Sequence, residues 1–271
     1  RIGWRGEGRR ADRAAAARSR RWGRTARIRL LPVIAPEDNR SRELGDAAVL
    51  GILAGINTLA AQHSCGRRRV AAAAPATELK LDERLVGRGQ FDGIAVLGVR
   101  PADERIAFLA RSGFPVVTFG RSDLALPDGR IAHAFVDVDR GHGIRMAVDH
   151  LAGLGHRRIA YIAPPPGLMC AEQRWSGFTE AMVEHGLTIH DSFVLPGGFH
   201  ESTGRRAAEE LMGLAKPPTA IIAANDFCEF GGMTKTQQQG ITIGREGPGV
   251  GVGESGPAAG EKPPHRPTAR H

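Results

Sequence analysis

The sequence predicts an α/β fold in which helices cover parallel sheets. Between about residues 28 and 244, short apolar runs alternate with segments whose apolar residues recur at helical spacing. The run at 220–224, AIIAA, is apolar without alternation, which is typical of a strand buried on both faces. With 41% hydrophobic and 24% charged residues, the 271-residue chain has the composition of a globular protein that can form a core.

The predicted strands and helices alternate along the chain, as connections between parallel strands require. Strands are expected at 28–34, 70–74, 91–97, 115–119, 134–138, 159–163, 189–195 and 220–224. Helices are expected at 47–61, 78–86, 103–111, 141–154, 172–185 and 201–214. The helix at 141–154 is the clearest, because Asp139 can cap its start and Gly155 can adopt the left-handed conformation at its end.

Most of the positive charge lies at the beginning of the sequence. Residues 1–30 contain eleven Arg against Glu7 and Asp12, and since the whole chain has a net charge of +8, the remainder is close to neutral. Such a basic arm is typical of contact with a phosphate backbone, although a solvated tail is the alternative. No apolar segment of a secretory signal follows the charges, and no run approaches the roughly 20 apolar residues of a membrane helix. We therefore expect a cytoplasmic protein with no membrane partner.

No pattern for metal, nucleotide or covalent chemistry occurs in the sequence. Cys65, Cys170 and Cys228 are too scattered for a zinc site or a disulfide framework, so we expect reduced thiols. Glycine-rich phosphate motifs, GxSxG and HExxH are all absent. We expect no metal, no cofactor and no catalytic activity, with an enzyme on an α/β scaffold as an alternative.

Polar residues follow the predicted strands at the positions where a parallel sheet binds ligands. Sites in such sheets form in the loops that leave the carboxyl ends of the strands. Four loops qualify, at 98–100, 120–123, 164–174 and 225–226.

Several motifs resemble the lactose-repressor (LacI/GalR) family of transcription regulators. VDVDRGHGIRMAVDHLAGLGHRRIAYIA at 136–163 resembles the helix and GH-R-I strand that are typical of the family. RWSGF at 174–178 matches its R-x-x-G-F, and PTAIIAANDF at 218–227 matches its P-T-A and A-N-D. The resemblance covers roughly 28–246. It implies a periplasmic-binding-protein-like effector domain with two lobes, at about 28–138 and 139–246.

The resemblance also implies a small polar ligand, such as a sugar, held in the cleft. Arg174 would grip its hydroxyls with a planar guanidinium, and Asn225 offers both a donor and an acceptor. Phe199 would supply an apolar wall. The alternatives are a helix-surface ion pair for Arg174 and an ordinary N-cap for Asn225. In full, the expected ligand-binding residues are Arg174, Asn225, Asp226, Phe199, Asp139 and Arg121.

The basic arm resembles the family's hinge, which joins a helix-turn-helix headpiece to the effector domain and folds on operator DNA. The similar stretch is AAAARSRRWGRTARI at 14–28, although Arg20 stands where the family has a Leu that wedges into the minor groove. Residues 1–13 do not resemble a headpiece. The residues expected to contact DNA are Arg18, Ser19, Arg20 and Arg21.

The family pattern weakens at three places. Residues 247–271 contain six Gly and five Pro, so we expect a disordered tail in place of the closing strands and the ligand-side Asp. The basic run GRRR at 66–69 is expected to interrupt a strand. We expect a chain truncated or frameshifted at both ends, with ligand binding weakened or lost and specific DNA binding absent.

These features predict a LacI-type transcription repressor or regulator in which a sugar-like effector controls operator binding through a homodimer. The alternative is a solute (sugar)-binding receptor of a transport system, which would share the two-lobed architecture but needs an export signal.

Overall fold

The computed structural model describes residues 30–36, 47–62, 66–72, 75–88, 93–124, 133–198, 200–223, 225–238 and 250–251. They form two compact units that divide between Asp137 and Val138. Both units contain a parallel sheet, which confirms the α/β class predicted from the alternating pattern.

The first unit contains a five-stranded sheet. Its strands are β1 (Leu30–Pro36), β2 (Gly66–Ala72), β3 (Ile94–Val96), β4 (Val116–Phe119) and β5 (Ala134–Val136). Its helices are α1 (Ala47–Gln62, in this unit from Leu50 onward), α2 (Pro75–Arg88) and α3 (Glu104–Arg111). All pairings are parallel, in the order β2-β1-β3-β4-β5.

The basic run at 66–69 does not interrupt a strand, so that expectation is wrong. It forms the first half of β2, which pairs with β1 in continuous register from Gly66 to Ala72. Because β2 lies at the edge of the sheet, it is a position where charged residues are common in natural sheets.

The core of the first unit lies around β3. Ile94 and Val96 are fully buried and pack with Leu85 of α2, Leu109 of α3 and Phe114. Asp103 begins α3, because its carboxylate accepts a hydrogen bond from the amide of Arg105.

The second unit contains a four-stranded parallel sheet with two helices on each face. Its strands are β6 (Ile159–Ala163), β7 (Val194–Pro196), β8 (Ala220–Ala223) and β9 (Val250–Gly251), in the order β7-β6-β8-β9. Its helices are α4 (Arg140–Gly153), α5 (Met169–Glu184), α6 (Glu201–Met212) and α7 (Asp226–Gln238).

Strand β6 is buried on both faces, as its apolar sequence predicted. Ile159 and Tyr161 point into a cluster with residues of α4 and α5, whereas Ala160 and Ile162 point into a cluster with residues of α6. The strand therefore supplies the centre of two cores, one on each side of the sheet.

Glycines set the spacing of the helix pairs in the second unit. A Cβ atom added to Gly177 of α5 would overlap the carbonyl oxygen of Gly141 of α4. On the other face, a Cβ on Gly204 of α6 would overlap the carbonyl oxygen of Cys228 of α7. These backbones therefore approach more closely than a larger residue would permit.

The predicted signals for α4 are confirmed, whereas the bounds of one predicted strand differ. The Asp139 carboxylate accepts from the amide of His142 at 2.8 Å, and Gly155 has φ +92°. The predicted strand at 189–195 is mostly replaced by a 3₁₀ turn at Asp191–Phe193, which leaves only the three-residue β7 at Val194–Pro196.

The structure also corrects the expectation of no regular structure after residue 246. Val250 and Gly251 pair with Ile222 and Ala223, so a short β9 continues the sheet next to β8. The rest of 247–271 lies outside the described residues. Among the helices that the structure describes, none is both long enough and apolar enough to cross a membrane.

Candidate functional site

The candidate site lies in the second unit, where β6, β7 and β8 end at the same edge of the sheet. The strand ends are held close together. A Cβ on Gly197, after β7, would overlap the carbonyl oxygen of Ala163 at the end of β6. The Cys228 thiol of α7 donates to the carbonyl oxygen of Gly198 at 3.0 Å, which links the segment after β7 to the helix after β8. Burial raises the pKa of Cys228 to about 11, so this thiol stays protonated and able to donate.

Asn225 and Asp226 lie at the junction between β8 and α7. The Asn225 side-chain oxygen accepts a hydrogen bond from the amide of Cys228 at 2.9 Å, and Asn225 is only 8% exposed. Asn225 is therefore an N-cap, as its alternative interpretation proposed, and the bond fixes the side chain at the end of the strand. Asp226 is also buried, in the first turn, where the positive end of the helix favours a carboxylate.

Arg174 lies in the second turn of α5 and is partly buried. Its motif, RWSGF, has a clear structural role: Gly177 permits the close approach of α4, and Phe178 is fully buried in the core. These two contacts fix the rotation of α5, and that rotation sets the direction from which Arg174 leaves the helix.

Asp139 lies close to the same part of α5. Gly141 separates them: its Cβ position is 3.0 Å from the carbonyl oxygen of Gln173 and 3.7 Å from Oδ1 of Asp139. The carboxylate that caps α4 therefore lies near the residue that precedes Arg174. The Asp139 carboxylate thus lies near the backbone that carries Arg174, and a carboxylate acceptor and a guanidinium donor are groups that suit hydroxyls, which both donate and accept.

Sequence reasoning missed an aromatic cluster formed by Tyr161, Trp175 and Phe178. The rings of Tyr161 and Phe178 stack with centroids 4.8 Å apart, and the Trp175 ring lies 5.8 Å from that of Phe178. Burial raises the pKa of Tyr161 above its ordinary value, and the positive charge of Arg174 opposes that rise. The adjacent Arg and Trp in RWSGF could have indicated an aromatic ring beside Arg174. The contact of Tyr161 with these rings could not be predicted, because it depends on how β6 packs against α5.

A cavity of about 20 Å³ lies below these strand ends, against α7. Its lining includes Ile162, Ile221, Met233 and Thr236. A volume of this size holds about one water molecule and is far too small for a sugar. It is a gap in the packing rather than the predicted ligand site.

Arg121 belongs to the first unit, in the loop after β4. It is exposed, and its amide donates to the Asp137 carboxylate at 2.9 Å. Phe199 and the predicted DNA-contacting residues Arg18, Ser19, Arg20 and Arg21 lie outside the described residues. The structure therefore brings Asp139 close to Gln173, the neighbour of Arg174, and places Asn225 and Asp226 at the same end of their sheet.

The first unit contains a buried ion pair that sequence reasoning also missed. The Arg105 Nε donates to Asp103 Oδ1 at 2.9 Å, and a second nitrogen lies 2.6 Å from Oδ2 and 2.8 Å from the carbonyl oxygen of Gly98. Burial would raise the pKa of Asp103, but the hydrogen bond and charge of Arg105, with the amides of Arg100 and Arg105, hold it below its ordinary value. This pair fixes the loop after β3.

Within the described residues, no group of three or more His, Cys, Asp or Glu side chains could hold a metal ion. The second unit has acidic, basic and amide side chains that can form hydrogen bonds, and aromatic rings, near the carboxyl ends of its parallel strands.

Comparison with known proteins agrees with this architecture. Residues 148–253 match the model of a periplasmic binding protein-like domain. The chain is 31% identical over 173 residues to the HTH-type transcriptional regulator AglR of Rhizobium meliloti, covering 64% of this chain and 48% of AglR. It is also 31% identical over 185 residues to the HTH-type transcriptional regulator CelR of Thermobifida fusca, covering 67% of this chain and 54% of CelR. The chain thus spans about half the length of these curated relatives.

Solved structures extend the similarity over most of the chain. A LacI-family regulatory protein from Chloroflexus aggregans superposes with a TM-score of 0.72 at 26% identity, covering 87% of this chain and 82% of that protein. Over this length the chain is similar to regulators of the LacI family. A complex of the transcriptional regulator CelR with cellobiose has a TM-score of 0.74 at 25% identity, and the match covers 92% of this chain and 76% of CelR. These similarities agree with the resemblance to the LacI/GalR family seen in RWSGF and AAND.

Proposed function

We propose that this chain is the effector-binding part of a transcription regulator of the LacI/GalR type, and that its effector is a small sugar-like molecule. The observation that carries the proposal is the arrangement in the second unit. The Asp139 cap of α4 lies near Gln173, the residue before Arg174 on α5, while Asn225 is fixed by its cap bond at the end of β8. Ligand sites of open parallel sheets form at this edge.

The ligand chemistry follows from the groups present. A guanidinium donates paired hydrogen bonds, a carboxylate accepts, and an amide does both, so the set can satisfy vicinal hydroxyls. The Trp175 ring, 40% exposed beside Arg174, offers an apolar surface. A sugar has both hydroxyl groups for the polar side chains and an apolar face for the ring. Cellobiose is the first probe, because CelR has been solved in complex with it.

The test is thermal unfolding of the chain with millimolar cellobiose and a panel of other mono- and disaccharides. We expect at least one sugar to raise Tm, because ligand that binds only the folded state stabilises it by mass action. Arg174→Ala should weaken the binding of that sugar by about 2 kcal/mol, roughly 30-fold in Kd, because charged hydrogen bonds are lost.

The matched control is Arg206→Ala, since Arg206 is an exposed arginine on α6. It should leave the sugar-induced shift unchanged. No shift with any sugar, or equal losses in the two variants, would contradict the proposed site.

We further propose that the intact regulator acts on operator DNA as a cytoplasmic homodimer, with Arg18, Ser19, Arg20 and Arg21 contributing to DNA contact. Support comes from the hinge-like sequence at 14–28 and from the regulator relatives. A gel-shift assay with this chain should show salt-sensitive, non-selective binding, because basic residues release phosphate counterions. Selective binding to a palindromic operator would show that this chain suffices for recognition.

A further inference from the structure

The hydroxyl group of Tyr161 is a buried polar group that the proposed site does not yet use. Tyr161 is 0% exposed, and among the residues that the structure describes its hydroxyl has no hydrogen-bond partner. Such a group loses its bonds to water without replacing them, so it costs free energy in the folded state. Phenylalanine would fill the same space without this cost.

The position of the hydroxyl points to Arg174. The Tyr161 ring stacks on Phe178, and its hydroxyl lies within electrostatic range of Arg174 and Cys170. Residues 170, 174 and 178 follow one another at four-residue spacing along α5. The Tyr161 ring therefore packs against Phe178 on the third turn of α5. Arg174 and Cys170, which lie near its hydroxyl, are one and two turns closer to the start of the helix.

We infer that Tyr161 is a positioning residue for Arg174, and the inference rests on the proposed function. When a ligand draws the guanidinium into a bound orientation, the phenol oxygen accepts one of the five guanidinium N–H groups. This bond holds the planar fork against the ligand hydroxyls. The hydroxyl is thus satisfied in the bound state, which accounts for a tyrosine at a position where the free protein gains nothing from its oxygen.

The first arm of the test needs no ligand. Tyr161→Phe should raise Tm of the free chain by about 2 °C or more, because it removes a buried hydroxyl that has no partner. Thr179→Ala on the same helix is the control. The Thr179 hydroxyl already donates to the carbonyl oxygen of Trp175 at 3.0 Å, so its removal should not raise Tm. An unchanged or lowered Tm for Tyr161→Phe would overturn the inference.

The second arm measures the coupling to Arg174 with cellobiose, or with whichever panel sugar gives the largest Tm shift. Tyr161→Phe should raise the Kd of that sugar about tenfold, which corresponds to the loss of one hydrogen bond to a charged group. In an Arg174→Met background the same change should have no further effect. Equal losses in both backgrounds would show that Tyr161 does not act through Arg174.

A spectroscopic readout separates positioning from a general loss of stability. Tyr161 is the only tyrosine in the sequence, so protein labelled with ¹³Cζ-tyrosine gives one resonance. Sugar should shift this resonance in the parent chain and not in Arg174→Met at a saturating concentration. A sugar that raises Tm without moving the resonance would overturn the inference while leaving the proposed function intact. If no sugar binds, the proposed function fails, and the Tm of Tyr161→Phe still decides whether the hydroxyl lacks a partner.

Discussion

The two units use similar apolar strands in different ways. All four residues of β8 and four of the five in β6 are buried, because helices pack on both faces of that sheet. In the first unit, all three residues of β5 are exposed, including Phe135 at 39% and Val136 at 62%. Apolar composition therefore predicts a strand, but it does not predict whether the strand lies at the centre of a core or at the edge of a sheet.

The stability of the second unit should depend on a few central side chains, unlike the edge of the first. Phe178→Ala should lower the free energy of unfolding by about 3–5 kcal/mol, because it removes a fully buried ring and leaves a cavity. Phe135→Ala should cost less than about 1 kcal/mol, because that ring is already partly in water. Urea unfolding followed by circular dichroism measures both, and comparable losses would remove the distinction between the units.

A second prediction concerns the close approach of α6 and α7. Gly204→Ala should destabilise the chain by about 3 kcal/mol, since its Cβ would overlap the backbone oxygen of Cys228 and the two helices must separate. Gly153→Ala is the control, because no atom lies within 4 Å of its Cβ position. It should be neutral or stabilising by up to about 1 kcal/mol. If Gly204→Ala were equally neutral, the packing described for this helix pair would be wrong.

The third prediction concerns the pH dependence of the stability that Asp103 contributes in the first unit. The pKa of Asp103 is lower in the folded state than in the unfolded chain, so the stability it contributes is present above the ordinary carboxyl pKa, near 4, and is lost as pH falls below it. Asp103→Asn should cost about 2 kcal/mol at pH 7 and less as the pH approaches 3. The measurement is urea unfolding of both proteins between pH 3 and 7. A loss that stays constant over this range would show that the Asp103 charge does not stabilise the loop.

Much of the fold could be predicted from the sequence, because the deciding signals are local. The cap at Asp139, the left-handed Gly155 and the buried run at 159–163 each depend on neighbouring residues, and each is confirmed. The basic first half of strand β2, at 66–69, and the two-residue β9 could not be predicted in this way. Both are defined by pairing with a distant partner, and their Arg-rich and Gly-rich sequences oppose the usual strand signals.

The site was predictable only in part for the same reason. Motif residues such as Arg174 and Asn225 could be named, because each lies in a recognisable string. The roles of Tyr161 and of the Asp103–Arg105 pair come from contacts across strands and loops. Periodicity predicts Tyr161 as a core residue, but it cannot show that the hydroxyl is left without a partner among the described residues.

The central claim is that the proposed effector site of this chain lies at the carboxyl ends of β6, β7 and β8. The most direct measurement is a crystal structure of the chain with the sugar that gives the largest Tm shift. We expect the sugar hydroxyls to lie within hydrogen-bond distance of Arg174 and Asn225, with the Tyr161 oxygen accepting from the guanidinium. A sugar bound elsewhere, with Arg174 and Asn225 not in contact with it, would contradict the account.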